Sequence, residues 1–278
     1  MLVAMISRRS FLRTVGACAG AGVGYTFLIE PSWLEIVRRP LHIERLPPAL
    51  TGRTLAHLSD LHVGPLVSDE YLLHTFRRVA DLQPEIVVIT GDLMSWHSGW
   101  RDHVAAVFHH APIGRLATIA TLGNHDYGPA WADCQVAAGL VDVVRSCGIT
   151  VLRNEVFDAG GLQVLGFDDL WAERFNPQDV LRRFDVTRAA IALSHNPDTV
   201  DLPVWGSYQG WILAGHTHGG QCKPPFLPPP VLPVKNRRYT AGEFQLAGNR
   251  QMYISRGVGH SMPVRFNARP EVTLFELS

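Results

Sequence analysis

Five short apolar runs in this chain each stop at a cluster of aspartate, histidine or asparagine. Leu55–Ser59 runs into His57-Leu58-Ser59-Asp60-Leu61-His62, and Ile86–Thr90 into Thr90-Gly91-Asp92. Leu116–Leu122 runs into Leu122-Gly123-Asn124-His125-Asp126, and Ala189–Ser194 into Ser194-His195-Asn196. Trp211–Ala214 runs into Gly215-His216-Thr217-His218-Gly219-Gly220. Runs such as Ile86–Thr90, apolar throughout, read as strands of a sheet buried on both faces. Between them, Asp69–Leu82 carries Leu72, Leu73, Phe76 and Val79 at helical spacing, and Trp131–Cys147 reads as a second helix. Alternating strands and helices specify an α/β fold. Ligands of such folds bind beyond the carboxyl ends of the strands, so five polar strand ends converge on one cleft.

The residue types in that cleft are those of a metal site. Carboxylate and amide oxygens with imidazole nitrogens suit Mn, Fe, Zn or similar divalent ions. Asp60 and His62 alternate, as do His216 and His218, so on an extended segment each pair points one way. Each piece alone has an ordinary explanation. Asp-x-His after a strand is commonly a cap, Gly-Asp a turn, and a solitary His195 a satisfied core residue. Five in order at strand ends outweigh those readings.

The remainder is organised around that core. Thr150–Leu152, Val156–Phe157, Leu162–Phe167, Met252–Ser255 and Val272–Leu277 read as strands, with turns at Asn154 and Gly160-Gly161, and Val180–Phe184 as a short helix. Residues 223–235 hold Pro224, Pro225, Pro228, Pro229, Pro230 and Pro233 and must be irregular. The simplest division is a leader over 1–30, a proline-punctuated linker over 31–50 and one domain over 51–278. Ser7-Arg8-Arg9-Ser10-Phe11-Leu12-Arg13 followed by an apolar run to Ile29 reads as a twin-arginine export signal, which makes the export machinery a partner. No small-x-small cleavage site precedes Pro31, so removal of the leader and its retention as an anchor both stay open. The expected location is the periplasm or the outer face of the cytoplasmic membrane. Lys+Arg and Asp+Glu both number 25, so no basic excess marks nucleic acid as the principal partner. Cys18, Cys134, Cys147 and Cys222 lack CxxC spacing; Cys134 and Cys147 are read as buried free thiols, with a disulfide as the alternative.

The series Asp60-x-His62, Gly91-Asp92, Gly123-Asn124-His125-Asp126, His195 and Gly215-His216-x-His218 resembles the calcineurin-like metallophosphoesterase superfamily. The leader, the Gly215–Gln221 run and the tail Arg256-Gly257-x-Gly259…Pro263-x-Arg265-Phe266…Arg269-Pro270-Glu271 resemble its envelope or membrane-associated branch, which includes UDP-2,3-diacylglucosamine pyrophosphatase-like enzymes. That resemblance implies a four-layer α/β domain, a two-sheet sandwich flanked by helices. It implies two divalent metal ions, one held by Asp60, His62 and His218, the other by Asn124, His195 and His216, with Asp92 bridging. It further implies that His125 faces the substrate and that Asp126 orients His125. The expected activity is hydrolysis of a phosphate ester or pyrophosphate, on a phosphorylated small molecule or a lipid-linked substrate. A broad phosphodiesterase or phosphomonoesterase, and a catalytically silent metal-binding envelope protein, are the alternatives. No His-Glu-x-x-His or Gly-x4-Gly-Lys-Ser/Thr occurs, which disfavours a zinc peptidase and a P-loop nucleotidase.

Lys223 to Arg238 mixes apolar and basic residues just after His218, and so rims the cleft against an amphiphilic substrate or a membrane surface, or else packs as a stiff loop. Arg256, Arg265 and Arg269 are read as anchoring the tail rather than binding a second phosphate. Trp96, His97 and Trp100 are read as packing.

Overall fold

The computed structural model describes residues 7–278, so Met1–Ile6 of the leader lie outside the described residues. Two six-stranded mixed sheets stack face to face. In the first, β1 (Glu35–Leu41) runs parallel to β12 (Glu271–Leu277), which is antiparallel to β2 (Thr54–Leu58). β2, β3 (Ile86–Thr90), β4 (Ala117–Thr121) and the short β5 (Thr150–Val151) continue in parallel. In the second, β6 (Glu155–Ala159) is antiparallel to β7 (Leu162–Gly166). β7, β8 (Ala190–Leu193), β9 (Gly210–Ala214) and β11 (Arg250–Ile254) run parallel, and β10 (Gly242–Gln245) closes the edge antiparallel to β11.

The apolar runs are continuous because both faces of each sheet are covered. Val87 and Ile89 point to a helical layer with Phe76, Val79, Val104 and Leu140, whereas Ile86 and Val88 point between the sheets towards Val164, Ile191 and Leu213. The period-two pleat thus feeds two cores from one strand. On the far side, Leu165, Ala192 and Ile212 pack under Val180, Trp205 and Tyr208. Each fully buried Leu, Ile or Phe contributes roughly 1.5–3 kcal/mol relative to exposure. The helices are α1 (Arg8–Gly24), α2 (Asp69–Asp81), α3 (Trp100–Phe108), α4 (Cys134–Ser146) and α5 (Pro177–Arg183). α2 and α3 lie in the helical layer, and α4 begins three residues later than its pattern predicts. Asp133 caps it, accepting from the N–H groups of Gln135 and Val136 at 2.8 and 3.1 Å, while Ala130 and Trp131 sit at positive φ outside it.

Three expectations change. The linker expected over 31–50 contains β1, whose seven residues pair with β12 in register. Pro40 sits in that strand at the sheet's edge, where its missing N–H costs no ladder bond. The leader is not separate from the fold. α1 continues through Tyr25–Ile29 and Glu30–Ser32, and Glu30, fully buried, accepts from Ala268 N–H at 2.7 Å. No cysteine of the four is paired, and Cys134 is exposed rather than buried. The twenty-five residues Arg8–Ser32 are long and apolar enough to cross a membrane, and none of their most apolar window is buried.

Candidate metal centre

The carboxyl ends of β2, β3, β4, β8 and β9 meet at one rim, and each delivers its polar cluster there. Asp60, His62 and His218 lie with ligand atoms within 4.8 Å of one another, and Asp92, His195 and His216 form a second such group. Asp92 stands between the two: its Oδ2 is 3.6 Å from His62 Nε2 and 3.2 Å from His195 Nε2. Within the first group His62 Nε2 and His218 Nε2 approach to 3.2 Å; within and beside the second, His216 Nδ1 and His195 Nε2 do the same. All are buried.

The backbone reaching these positions is not extended. Asp60, His62, Asp92, His216 and His218 have φ of 53°, 49°, 50°, 71° and 49°. Left-handed conformations cost non-glycine residues of order 1–3 kcal/mol and persist only where surrounding contacts impose them. So the expectation that alternation aligns the side chains is corrected. Asp60 and His62 converge through two αL residues, and His216 and His218 diverge, one to each group. Backbone bonds fix the turns: Asp60 N–H donates to Gly91 C=O and His62 N–H to Asp92 C=O, both at 3.0 Å. Gly91, at φ 72°, has no room for a side chain, since a Cβ would stand 2.6 Å from His195 Nδ1.

The electrostatics favour cations. Burial pushes Asp60 up to about 6, with Asp92 adding to the rise and His195 opposing it. Burial would also raise Asp92, yet His195, His125 and His62 together hold it well below the usual carboxylate range. Burial lowers His62 and His216 to about 3 and, with His62 and Arg265 nearby, holds His218 well below the usual histidine range. For His195 burial is outweighed by Asp92, so its pKa is raised. The cleft therefore crowds carboxylates with imidazole nitrogens that approach in pairs at 3.2 Å, His62 with His218 and His195 with His216, an arrangement that a bound cation relieves. Asn124 adds the plainest sign of fit. Its Oδ1 and Nδ2 are both buried with no protein partner, and His216 Nε2 is likewise unpaired. Orphaned polar atoms at one site normally have a ligand. Outer contacts set ring orientation: His195 Nδ1–H donates to Thr90 C=O at 2.8 Å, and His62 Nδ1 meets Ser95 Oγ at 3.0 Å.

His125 belongs to the rim rather than to either group. Its backbone N–H donates to Asp92 Oδ1 at 2.9 Å, and its half-buried ring lies 4.9 Å from His62 and 6.0 Å from Trp131. Asp126 does not hold that ring. Both its oxygens are spent on backbone, accepting from Met94 N–H at 3.1 Å and Gly123 N–H at 2.8 Å, so it clasps the β4 turn to the β3 turn. Of the tail arginines, Arg256 pairs with Glu271 and Glu35, and Arg269 stacks 4.2 Å over Trp33. Arg265 is fully buried and donates to the carbonyls of Ala268 and Gly259. His97 joins His103 and Asp69 in a bonded row, 3.0 and 2.8 Å per link.

Sequence reasoning missed Asp169, Trp171 and Trp131. Asp169 is buried with Oδ2 unpaired and is raised to about 6 by burial, against the pull of His195. Trp171 meets His216 edge-on at 4.3 Å and stacks on Trp131 at 5.1 Å, walling one side of the cleft. The signal was present: Leu162–Phe167 runs into Asp168-Asp169, a further polar strand end.

Two stacked mixed sheets with carboxylate, amide and imidazole groups gathered at their common rim define a metallohydrolase of phosphate esters. The chain belongs to the calcineurin-like phosphoesterase family, whose model matches residues 53–220. It is 31% identical to the Bacillus subtilis metallophosphoesterase YkuE over 98% of both chains. It is 31% identical to the Escherichia coli phosphodiesterase YaeI, over 98% of this chain and 100% of that one. Against the UDP-2,3-diacylglucosamine pyrophosphatase LpxG of Chlamydia trachomatis it is 25% identical, over 88% of this chain and 90% of the relative. The chain is accordingly a metal-dependent phosphate ester hydrolase, with two candidate metal-binding groups.

Proposed function

We propose that this cleft hydrolyses a phosphodiester or pyrophosphate carried by an amphiphilic molecule, of the kind exemplified by UDP-2,3-diacylglucosamine, at the outer face of the cytoplasmic membrane. The single observation carrying the reading is the pair of three-residue groups with Asp92 between them. In this reading Asp60, His62 and His218 hold one cation, Asn124, His195 and His216 hold the other, and Asp92 serves both. When bound, the cations neutralise phosphate oxygens and acidify a water towards neutral pH, which suits in-line displacement. The chain's own part is positional. The Thr90 carbonyl holds His195 in the tautomer whose Nε2 lone pair faces the site. His125, half-exposed beside the cleft, donates a hydrogen bond or proton to the leaving oxygen. Trp171 and Trp131 exclude water from the neighbouring wall. Asp126 acts on the geometry of the turn rather than on the proton.

The amphiphilic preference draws on the apolar Arg8–Ser32 helix, the exposed apolar and basic Lys223–Arg238 loop, and the likeness to LpxG. Arg8-Arg9 marks export by the twin-arginine route with the leader kept as an anchor, and the phosphoesterase domain extends past the matched region through β12. The likeness to YaeI supports a broader phosphodiesterase as the second reading. Hydrolysis of p-nitrophenyl phosphate, bis-p-nitrophenyl phosphate and detergent-dispersed lipid pyrophosphates with added manganese, against Asp92→Ala, separates them. A preference of tenfold or less for the lipid substrates removes the amphiphilic reading, and no manganese-dependent hydrolysis of any removes the catalytic one.

A further inference from the structure

The last turns of the N-terminal helix are bonded to the catalytic domain at one place. Arg265 N–H donates to Thr26 C=O at 3.0 Å, and Ala268 N–H donates to Glu30 Oε1 at 2.7 Å. The segment 262–269 therefore runs beside helix residues whose apolar side chains face outward, Leu28 at 81% exposure. Phe266 in turn exchanges backbone bonds with the start of the proline-rich loop: Phe266 N–H to Gln221 C=O at 2.9 Å and Lys223 N–H to Phe266 C=O at 2.8 Å. The loop is thus pinned level with the helix end. Its tips, Phe226 at 106% exposure, Leu227 and Val231, project into solvent, and Met262 joins them. Six prolines between residues 224 and 233 keep the loop out of helix and sheet. Lys223, Lys235, Arg237 and Arg238 accompany them.

Arg265 ties this surface to the chemistry. Its backbone holds the helix, and its buried guanidinium ends with Nη2 3.5 Å from His218 Nδ1. One arginine side chain separates the anchor from the first metal group. By length and composition this helix is able to cross a membrane. Arg8, Arg9 and Arg13 lie at the far end, the cytoplasmic one by the usual distribution of positive charge.

We propose that the Lys223–Val231 loop is a second membrane contact. Together with the helix end, it seats the domain on an anionic bilayer, with the mouth of the metal cleft at the headgroup level. The occupant of this apolar and basic face is the lipid surface in which the helix is already embedded, a reading that rests on the retained anchor proposed above. A single helix would leave the domain free to swivel. Two contacts fix its tilt, so that a phosphate presented at the bilayer surface meets the cleft without leaving the membrane.

The test uses the full chain reconstituted into phosphatidylethanolamine–phosphatidylglycerol vesicles. In a background with Cys18→Ala, Cys134→Ser, Cys147→Ala and Cys222→Ser, a polarity-sensitive dye is placed by Phe226→Cys or, at the opposite ends of the strands, by Gln209→Cys. The dye at 226 is expected to shift to the blue and be quenched by nitroxide lipids, and the dye at 209 to do neither. A water-like, unquenched spectrum at 226 overturns the proposal. In a second arm, F226D/L227D is expected to raise KM for hexadecyl p-nitrophenyl phosphate in the vesicles about tenfold or more, leaving kcat/KM for soluble bis-p-nitrophenyl phosphate unchanged. Unchanged kinetics on both, or equal loss on both, also overturns it. If the unaltered chain hydrolyses neither compound, the functional reading fails, and the dye at 226 still decides the membrane contact.

Discussion

Asp126 offers the sharpest test of how this site is built, because its sequence position and its structural position assign it different work. Adjacent to His125, it reads as that ring's partner; in the fold both its oxygens accept backbone N–H groups, at 3.1 Å from Met94 and 2.8 Å from Gly123. Asp126→Asn preserves shape and keeps one acceptor. It also turns an NH2 group onto the other backbone N–H, so one hydrogen bond is lost and a buried donor is left unpaired. The carboxylate is fully buried, so no water compensates. A buried backbone donor left unpaired costs about 1–3 kcal/mol, which for a domain of this size lowers Tm by roughly 2–12 °C. The β4 and β3 turns carry Asn124 and Asp92, so metal affinity falls alongside stability. Thermal unfolding and metal titration of Asp126→Asn, with the pH profile of bis-p-nitrophenyl phosphate hydrolysis, make the check. A variant with unaltered Tm and metal content, but with the acidic or basic limb of the profile moved, would show that Asp126 acts on His125 and would refute the clasp.

Four further outcomes follow from the same geometry. Asp92→Ala lowers hydrolysis by roughly a thousandfold or more and reduces bound metal measured by mass spectrometry; two equivalents retained would exclude a shared carboxylate. His125→Ala lowers kcat by about 10²–10⁴-fold with metal content intact, and parallel loss of both would make His125 a ligand. Asn124 buries an amide without partners, so Asn124→Ala leaves metal-free stability unchanged or higher, whereas removing a satisfied buried amide costs about 1–3 kcal/mol; calorimetry with and without metal separates the cases. Burial holds His57 at about 3, with Nε2 bonded to Thr90 Oγ1 at 2.8 Å and Nδ1 unpaired. Only the unfolded chain takes that proton between pH 6.5 and 3, so stability is complete above this window and falls as pH is lowered through it. The loss reaches about 3 kcal/mol at pH 4.5, and the stability of His57→Gln, measured by urea unfolding across this range, should fall with pH on a slope shallower by up to one proton.

The readable part of this protein is the part written in local pattern. Ile86–Thr90 is apolar at every position because both faces are buried, and that alone announces a strand of a covered sheet. Asn154 and Gly160-Gly161 mark their turns because αL backbone favours those residue types, and they occupy it, at φ of 57°, 61° and 94°. The candidate ligands could be listed in advance because each follows an apolar run. Elements held by distant partners were not legible. Glu35–Leu41, with Pro40 and two arginines, has no strand signature and is a strand because β12 lies beside it. Asp126 became a clasp because Met94 arrived from another turn, and Trp171 became a wall because β7 and β9, with β8 between them, end at the same rim of one sheet. Composition and periodicity, which depend on a residue's own side chain and its near neighbours, determined the layers and the polar strand ends. The αL turns, the division of His216 from His218 and the docking of the leader on Arg265 were decided by tertiary contact, since each is a conformation that only partners far along the chain can impose.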